Sequence, residues 1–332
     1  SREELPGREF EGGALNTIPP TSPSQSPPKG WKKSMQVILG AVSLGLLWAI
    51  MTIGVYISYR VLDIADLTVE GSLPLGAAVA CSVIFGGGNP YLASLLALLA
   101  GCLAGLCTGV LHTKLKIPAL LSGILTMISL WSINLRVMGN RPNISILRLP
   151  TAFQPLEKLG MNKETAIIVV GTVCVAALIA ALYWFFGTEL GSAIRATGNN
   201  PRMIRAQGVS TDRMKIIGLM LSNGLVALSG ALIAQSQNFA DVQMGTGSIV
   251  IGLASLIIGE VLFGRRGFLS RLISLALGAV VYRMIIALVL ELGMPTNDLK
   301  LFTAITVALA LWLPQGKELL RTLKKSCAKE AA

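Results

Sequence analysis

The chain has 332 residues, of which 53% are hydrophobic and only 14% charged, with a mean hydropathy of +0.67. Soluble domains carry about 25% charged residues, so the composition excludes a water-soluble globular protein and points to a polytopic membrane protein. The formal net charge of +11 would suggest nucleic acid in a soluble chain; in a membrane protein its placement reports orientation instead, and no nucleic-acid partner is expected.

Residues 1–34 differ from the rest, with prolines at 6, 19, 20, 23, 27 and 28 and no periodic apolar face. They read as a disordered arm, either an expression remnant or an upstream extension, and no apolar core marks a signal peptide before Trp31. Crossing about 30 Å of hydrocarbon takes about 20 apolar residues. Runs of this kind lie at approximately 36–59, 67–86, 90–112, 118–138, 165–187, 214–236, 247–264, 268–291 and 300–314. The expected fold is all-α, a polytopic membrane helical bundle of about nine spans (8–10, since the second, seventh and ninth are short or glycine-rich) within a transmembrane domain 35–314. A basic tail follows at 315–332. Gly101 and Gly105, at i, i+4 in AGCLAGLCTG, favour close helix packing. His112 reads as a span-boundary residue. Cys81, Cys102, Cys107 and Cys174 lie in apolar spans and Cys327 in the tail, a distribution that fits packing and neither disulfide nor metal chemistry.

A repeat sets the architecture. A-D-L-x-V-x-G-S-L-x-L-G-x-A at 65–78 recurs as A-D-V-x-M-x-x-G-S-I-x-I-G-x-A at 240–254, and Ser94, Leu96 and Ala100 pair with Ser270, Leu272 and Ala276 at an offset of about 176 residues. Four spans, a central span at 165–187 and four more make the second half inverted, the plan of alternating-access transporters. Each copy opens on a polar stretch, Asp66–Ser72 and Asn238–Ser248, where the helices are expected to be broken. Irregular backbone survives at membrane depth only against protein or a water-filled cavity, so these stretches should line a path. Candidate path residues are Asp66, Thr68, Glu70, Ser72, Asn134, Asn238, Asp241, Gln243 and Arg283. Asp66 and Asp241 read equally well as helix caps. Arg283 could meet a substrate carboxylate or pair with Glu260 or Glu291.

Between the halves lies a polar, basic loop at 188–212, ELGSAIRATGNNPRMIRAQGV over its main part. Asn200 suits a helix N-cap, Pro201 the first helical position and Gly208 the residue past the end, which predicts a short helix over 201–207. Arg202 and Arg205 at i, i+3, beside Met203 and Ile204, offer charge and apolar contact together. A plainer alternative is a loop whose arginines only fix topology.

The pattern G-x-A-x-R-A-x-G-x-N-P followed by Gly-Val, on Gly191, Ala193, Arg195, Ala196, Gly198, Asn200, Pro201, Gly208 and Val209, resembles the coupling loop of ABC-importer permeases of the branched-chain amino acid and ribose type. The likeness spans about 35–314, and LDIADLTVEGSLPLGAAV resembles a subgroup for aromatic amino acid uptake. The resemblance implies that Arg195, Asn199, Asn200, Pro201, Arg202, Met203, Ile204, Arg205, Gln207 and Gly208 contact an ATPase. It also implies an extracytoplasmic substrate-binding protein, a second permease copy (a homodimer or a heterodimer) and membrane lipid as partners. Location would be the bacterial cytoplasmic (inner) membrane. With the coupling loop inside, the N-terminus is outside and the C-terminus cytoplasmic.

No phosphate-loop motif and no catalytic or metal cluster is present in the sequence, so no enzyme activity and no cofactor are expected in this chain, with ATP and Mg held by partner ATPase subunits. An ion-coupled secondary transporter shares inverted repeats and broken helices, and Gly264-Arg265-Arg266-Gly267 resembles a loop of major-facilitator carriers. A non-transporting scaffold or channel component, with 139–164 as a docking surface, is the further alternative.

Overall fold

A computed structural model describes residues 29–264 and 267–291, with isolated positions 301, 304, 305 and 308. The expected ninth span, the basic tail and most of the N-terminal arm lie outside the described residues. Eight membrane helices are described. Helix α1 (Lys29–Tyr56) continues into a wide π turn, Ile57–Val61. Then come α2 (Val69–Phe85), α3 (Pro90–Thr113) and α4 (Ala119–Val137). After a surface excursion with strand β1 (Asn143–Ser145) and the short α5 (Gln154–Lys158) comes α6 (Lys163–Gly187), packed against α1. The short α7 (Glu189–Asn199) and α8 (Pro201–Ala206) lead to α9 (Thr211–Gln237). Strand β2 (Phe239–Asp241) and a 3₁₀ turn, Val242–Gly245, precede α10 (Ser248–Phe263) and α11 (Phe268–Glu291). Seven helices are long and apolar enough to cross a membrane by length and composition, and α2 is the shorter eighth.

Two expectations need correction. The first helix begins at Lys29, inside the stretch read as a disordered arm. Glu189–Asn199, read as loop, is helical: Thr188 caps it by accepting from the Gly191 N–H, and Ile194 and Thr197 give it a buried face at i, i+3. The fold is all-α as expected, with one small antiparallel ribbon that sets Asn143, Ile144 and Ser145 opposite Asp241, Ala240 and Phe239.

The repeat is visible as packing. Helices α1, α2 and α3 recur as α9, α10 and α11, and α3 lies along α9 as α11 lies along α1. Lipid gives apolar side chains no reason to desert it, so such contacts depend on backbones approaching closely over small residues. Gly101 and Gly105 of α3 sit on the carbonyls of Asn223 and Leu219 of α9. Between α2 and α9 the contact is reciprocal, with Gly76 on the Ala227 carbonyl and Gly230 on the Leu73 carbonyl. One end of the bundle gathers Arg60, the α3–α4 turn, α7, α8 and the start of α11. The other gathers the ribbon, the α4–α6 excursion and the start of α3, where the Tyr91 hydroxyl donates to the Ala152 carbonyl.

Candidate translocation cleft and coupling surface

The first break runs from Leu62 to Thr68, with Asp63 in the left-handed region at φ 57°. A buried polar network carries the backbone across it. The Thr68 N–H donates to Asp66 Oδ1 at 2.9 Å, Asn223 Nδ2 of α9 donates to Asp66 Oδ2 at 2.7 Å, and Ser72 Oγ donates to Asn223 Oδ1 at 2.7 Å. Thr68 Oγ1 lies 2.7 Å from Thr108 Oγ1 of α3, which donates to Thr126 of α4 at 3.0 Å. In a low-dielectric interior an unpaired polar group costs several kcal/mol, about 2–7, which explains why the buried Asp66 carboxylate and the Thr68 and Ser72 hydroxyls are all paired. An Asp66→Leu variant is therefore expected to cost about 2–4 kcal/mol, since it strands the Thr68 N–H and one Asn223 donor. Thermal unfolding in detergent reads this loss, and Asp66→Asn should recover part of it.

The second break repeats the device at the other end. Asp241 Oδ1 accepts the Gln243 N–H at 2.6 Å, as Asp66 accepts that of Thr68. Asn238 takes the left-handed C-cap of α9 at φ 63°, and its carbonyl accepts from the Ile146 N–H. Asp241 is the N-cap of its 3₁₀ turn, whereas Asp66 holds the turn ahead of α2, whose N-cap position is Thr68.

The two breaks meet. Glu70, in the first turn of α2, accepts the Gly247 N–H at 3.1 Å, just before α10 begins, and Gly245 packs on the Glu70 carbonyl and Pro74. Beside this junction lies a half-open cleft of about 370 Å³ lined by Glu70, Met127, Trp131, Asn134, Val242 and Thr246, among others. Asn134 is buried; its Nδ2 donates to the Gly71 carbonyl at 3.3 Å, and its Oδ1 has no hydrogen-bond partner among the described residues.

Of the nine expected path residues, Glu70 and Asn134 line this cleft. Asp66, Thr68 and Ser72 are buried in the network and hold the break instead. Asn238 and Asp241 shape the second break, and Gln243 is exposed on its 3₁₀ turn. Arg283 is not a cleft residue: its guanidinium stacks on Trp48, 4.1 Å from the ring centroid, and so ties α11 to α1. Glu260, offered as its counter-ion, faces Arg60 at 3.7 Å. Met127 and Trp131 were missed, although Met127, Trp131 and Asn134 stand at i, i+4 and i+7, one helical stripe.

At the opposite end, α8 forms as its sequence dictates. Asn200 Oδ1 accepts the Met203 N–H at 3.1 Å, Pro201 opens the helix, Gln207 caps it and Gly208 follows at φ 83°. Arg202 and Met203 are exposed, Met203 by 50%. Ile204, expected on the contact face, is buried and anchors the helix. Arg205 bends back, donating to Thr211 Oγ1 at 2.8 Å and lying 3.8 Å from Asp212. Arg195 lies over the Phe268 ring, 5.4 Å from its centroid, and shares a cleft with Asn199, which is exposed.

The family model for the permease component of branched-chain amino acid transport systems matches residues 37–311. The chain belongs to this permease family. A tyrosine transport system permease protein of Clostridioides difficile is 41% identical over 273 residues, 82% of this chain and 90% of that one. An uncharacterised protein of Rickettsia prowazekii is 32% identical over 282 residues, 83% and 97% of the two chains. An autoinducer 2 import system permease protein of Yersinia pestis is 28% identical over 266 residues, 79% and 70%. A solved ABC transporter of metal-chelate type, inward-facing, aligns over 90% of this chain and 93% of its own at 14% identity and a TM-score of 0.48. The permease is therefore a membrane-spanning subunit of an ABC transport system and not an enzyme, and ion-coupled and scaffold roles fall away. Such a permease works with ATPase and binding-protein subunits.

Proposed function

We propose that the permease translocates an amino acid with an aromatic side chain through the cleft between α2, α4 and the outer break. The carrying observation is the pairing in one cleft of a carboxylate, Glu70, and an unpaired amide oxygen, Asn134 Oδ1, with Trp131 and Met127. Carboxylate and amide oxygens suit an α-ammonium group, and the indole and thioether suit a ring. The tyrosine transport permease of C. difficile, alike over most of both chains, supports that substrate class. In this reading Arg283 positions helices and does not touch the substrate.

Two copies would face each other across the path, as a homodimer or with a sister chain, in the bacterial inner membrane with the N-terminus outside and the C-terminus cytoplasmic. The permease domain spans 35–314, with 315–332 as a basic cytoplasmic tail. Separate ATPase subunits holding ATP and Mg would dock on Arg202 and Met203 of α8, with Arg195 and Asn199 on the same surface and Asn200, Pro201, Ile204, Arg205, Gln207 and Gly208 shaping it.

In vesicles reconstituted with cognate ATPase and binding protein, Glu70→Gln is expected to slow labelled tyrosine uptake by about 10- to 100-fold, the scale of one lost charge-assisted contact. Trp131→Ala should reduce tyrosine uptake more than leucine uptake. Wild-type tyrosine rates in Glu70→Gln would remove this cleft from the path.

A further inference from the structure

A second cleft, of about 550 Å³, opens at the coupling end between the α3–α4 turn, α8 and the first turn of α9. Its lining brings together Lys116, Arg205 and Lys215 with His112, against one carboxylate, Asp212. That carboxylate already faces Arg205 at 3.8 Å. Lys215 Nζ lies 3.3 Å from His112 Nε2, and His112 Nδ1 lies 2.9 Å from the Ile117 carbonyl. In the tautomer that donates Nδ1–H to Ile117, Nε2 accepts from the ammonium, so the imidazole orients Lys215 without offsetting its charge. The cleft therefore holds more cations than its own residues neutralise, at the level where membrane helices end.

We infer that this cleft binds the phosphate headgroup of an anionic phospholipid. Basic pockets at helix ends on the cytoplasmic side have the chemistry for such headgroups. The surroundings favour a lipid over a free anion: Leu115, next to Lys116, is 63% exposed, and Leu120 and Leu121 in the first turn of α4 are 51% and 47% exposed. These leucines offer acyl chains a contact that a soluble phosphate or an acidic peptide has no use for. Through Arg205, a bound headgroup would also brace α8, which adds lipid dependence to the coupling surface. The site stands on the cleft's own chemistry, whatever the transported solute.

The test uses the full chain purified in neutral detergent and offered phosphatidylglycerol and phosphatidylcholine in equal amounts, with retained lipid counted by native mass spectrometry. Phosphatidylglycerol is expected to be preferred, and Lys116→Gln and Lys215→Gln should each cut that preference about fivefold, the scale of one basic side chain at an anionic surface. Asp212→Asn, which removes the facing carboxylate, should raise retention, a gain that a misfolded variant cannot give. Equal retention of both lipids, or unchanged retention in the double lysine variant, overturns the proposal. Displacement of phosphatidylglycerol by millimolar glycerol phosphate would make this a free-anion site. Displacement by a micromolar acidic peptide would make it a protein-docking surface. Either displacement also overturns the lipid assignment.

Discussion

An Arg202→Glu, Met203→Glu double variant is expected to insert and fold normally yet lose energised uptake by about 100-fold or more, with ATPase retention on the purified permease falling in parallel. Both side chains are exposed and make no hydrogen bond or ion pair among those found in the described residues, so the fold does not depend on them. Two reversed or introduced charges at the centre of a docking surface cost several kcal/mol by like-charge and desolvation effects, where a rim charge costs little. The choice of residues matters. Arg205→Glu would instead break the contacts to Thr211 and Asp212 and disturb the α8–α9 corner itself. ATPase association and uptake that both survive the double change would exclude α8 as the docking helix.

A second large effect is expected from Gly76→Leu or Gly230→Leu. A Cβ at either position would fall on the opposing backbone, at Ala227 and at Leu73, so the strain cannot be relieved by turning a side chain. Overpacking ordinarily costs about 1–3 kcal/mol, and a clash with backbone should reach or exceed the top of that range. Either variant should be recovered as aggregate in size-exclusion chromatography. Gly40→Leu is the control, since nothing lies within 4 Å of the Cβ position there, and it should elute as wild type.

Much of this architecture was legible because the membrane imposes it. Eight of the expected spans follow apolar runs that no other environment tolerates, and the repeated A-D…G-S phrase marks the two breaks where the helices stop and restart. What escaped was of two kinds. In Glu189–Asn199 two glycines and polar side chains mask a helix, yet Gly191 and Gly198 are small because the helix lies against the backbone of Phe186 and Val61. The Asp66 network depends on Asn223, 157 residues away, and no local pattern links an aspartate in one repeat to an asparagine in the other. Trp131 was lost for the opposite reason, as one large apolar residue among many in a lipid-facing helix.

The π turn at Ile57–Val61 gives this layout a gear ratio. It closes α1, its last residue carries the carbonyl against which Gly198 of α7 packs, and the Leu62–Thr68 break separates it from α2. A π turn holds one residue more than an α turn, and one residue of an α-helix corresponds to about 100° of rotation and about 1.5 Å of rise. Shedding that residue under pressure from α7 would therefore convert a small push into a large twist. The twist would be delivered to the Leu62–Thr68 break, whose Asp66 is held by Asn223 of α9.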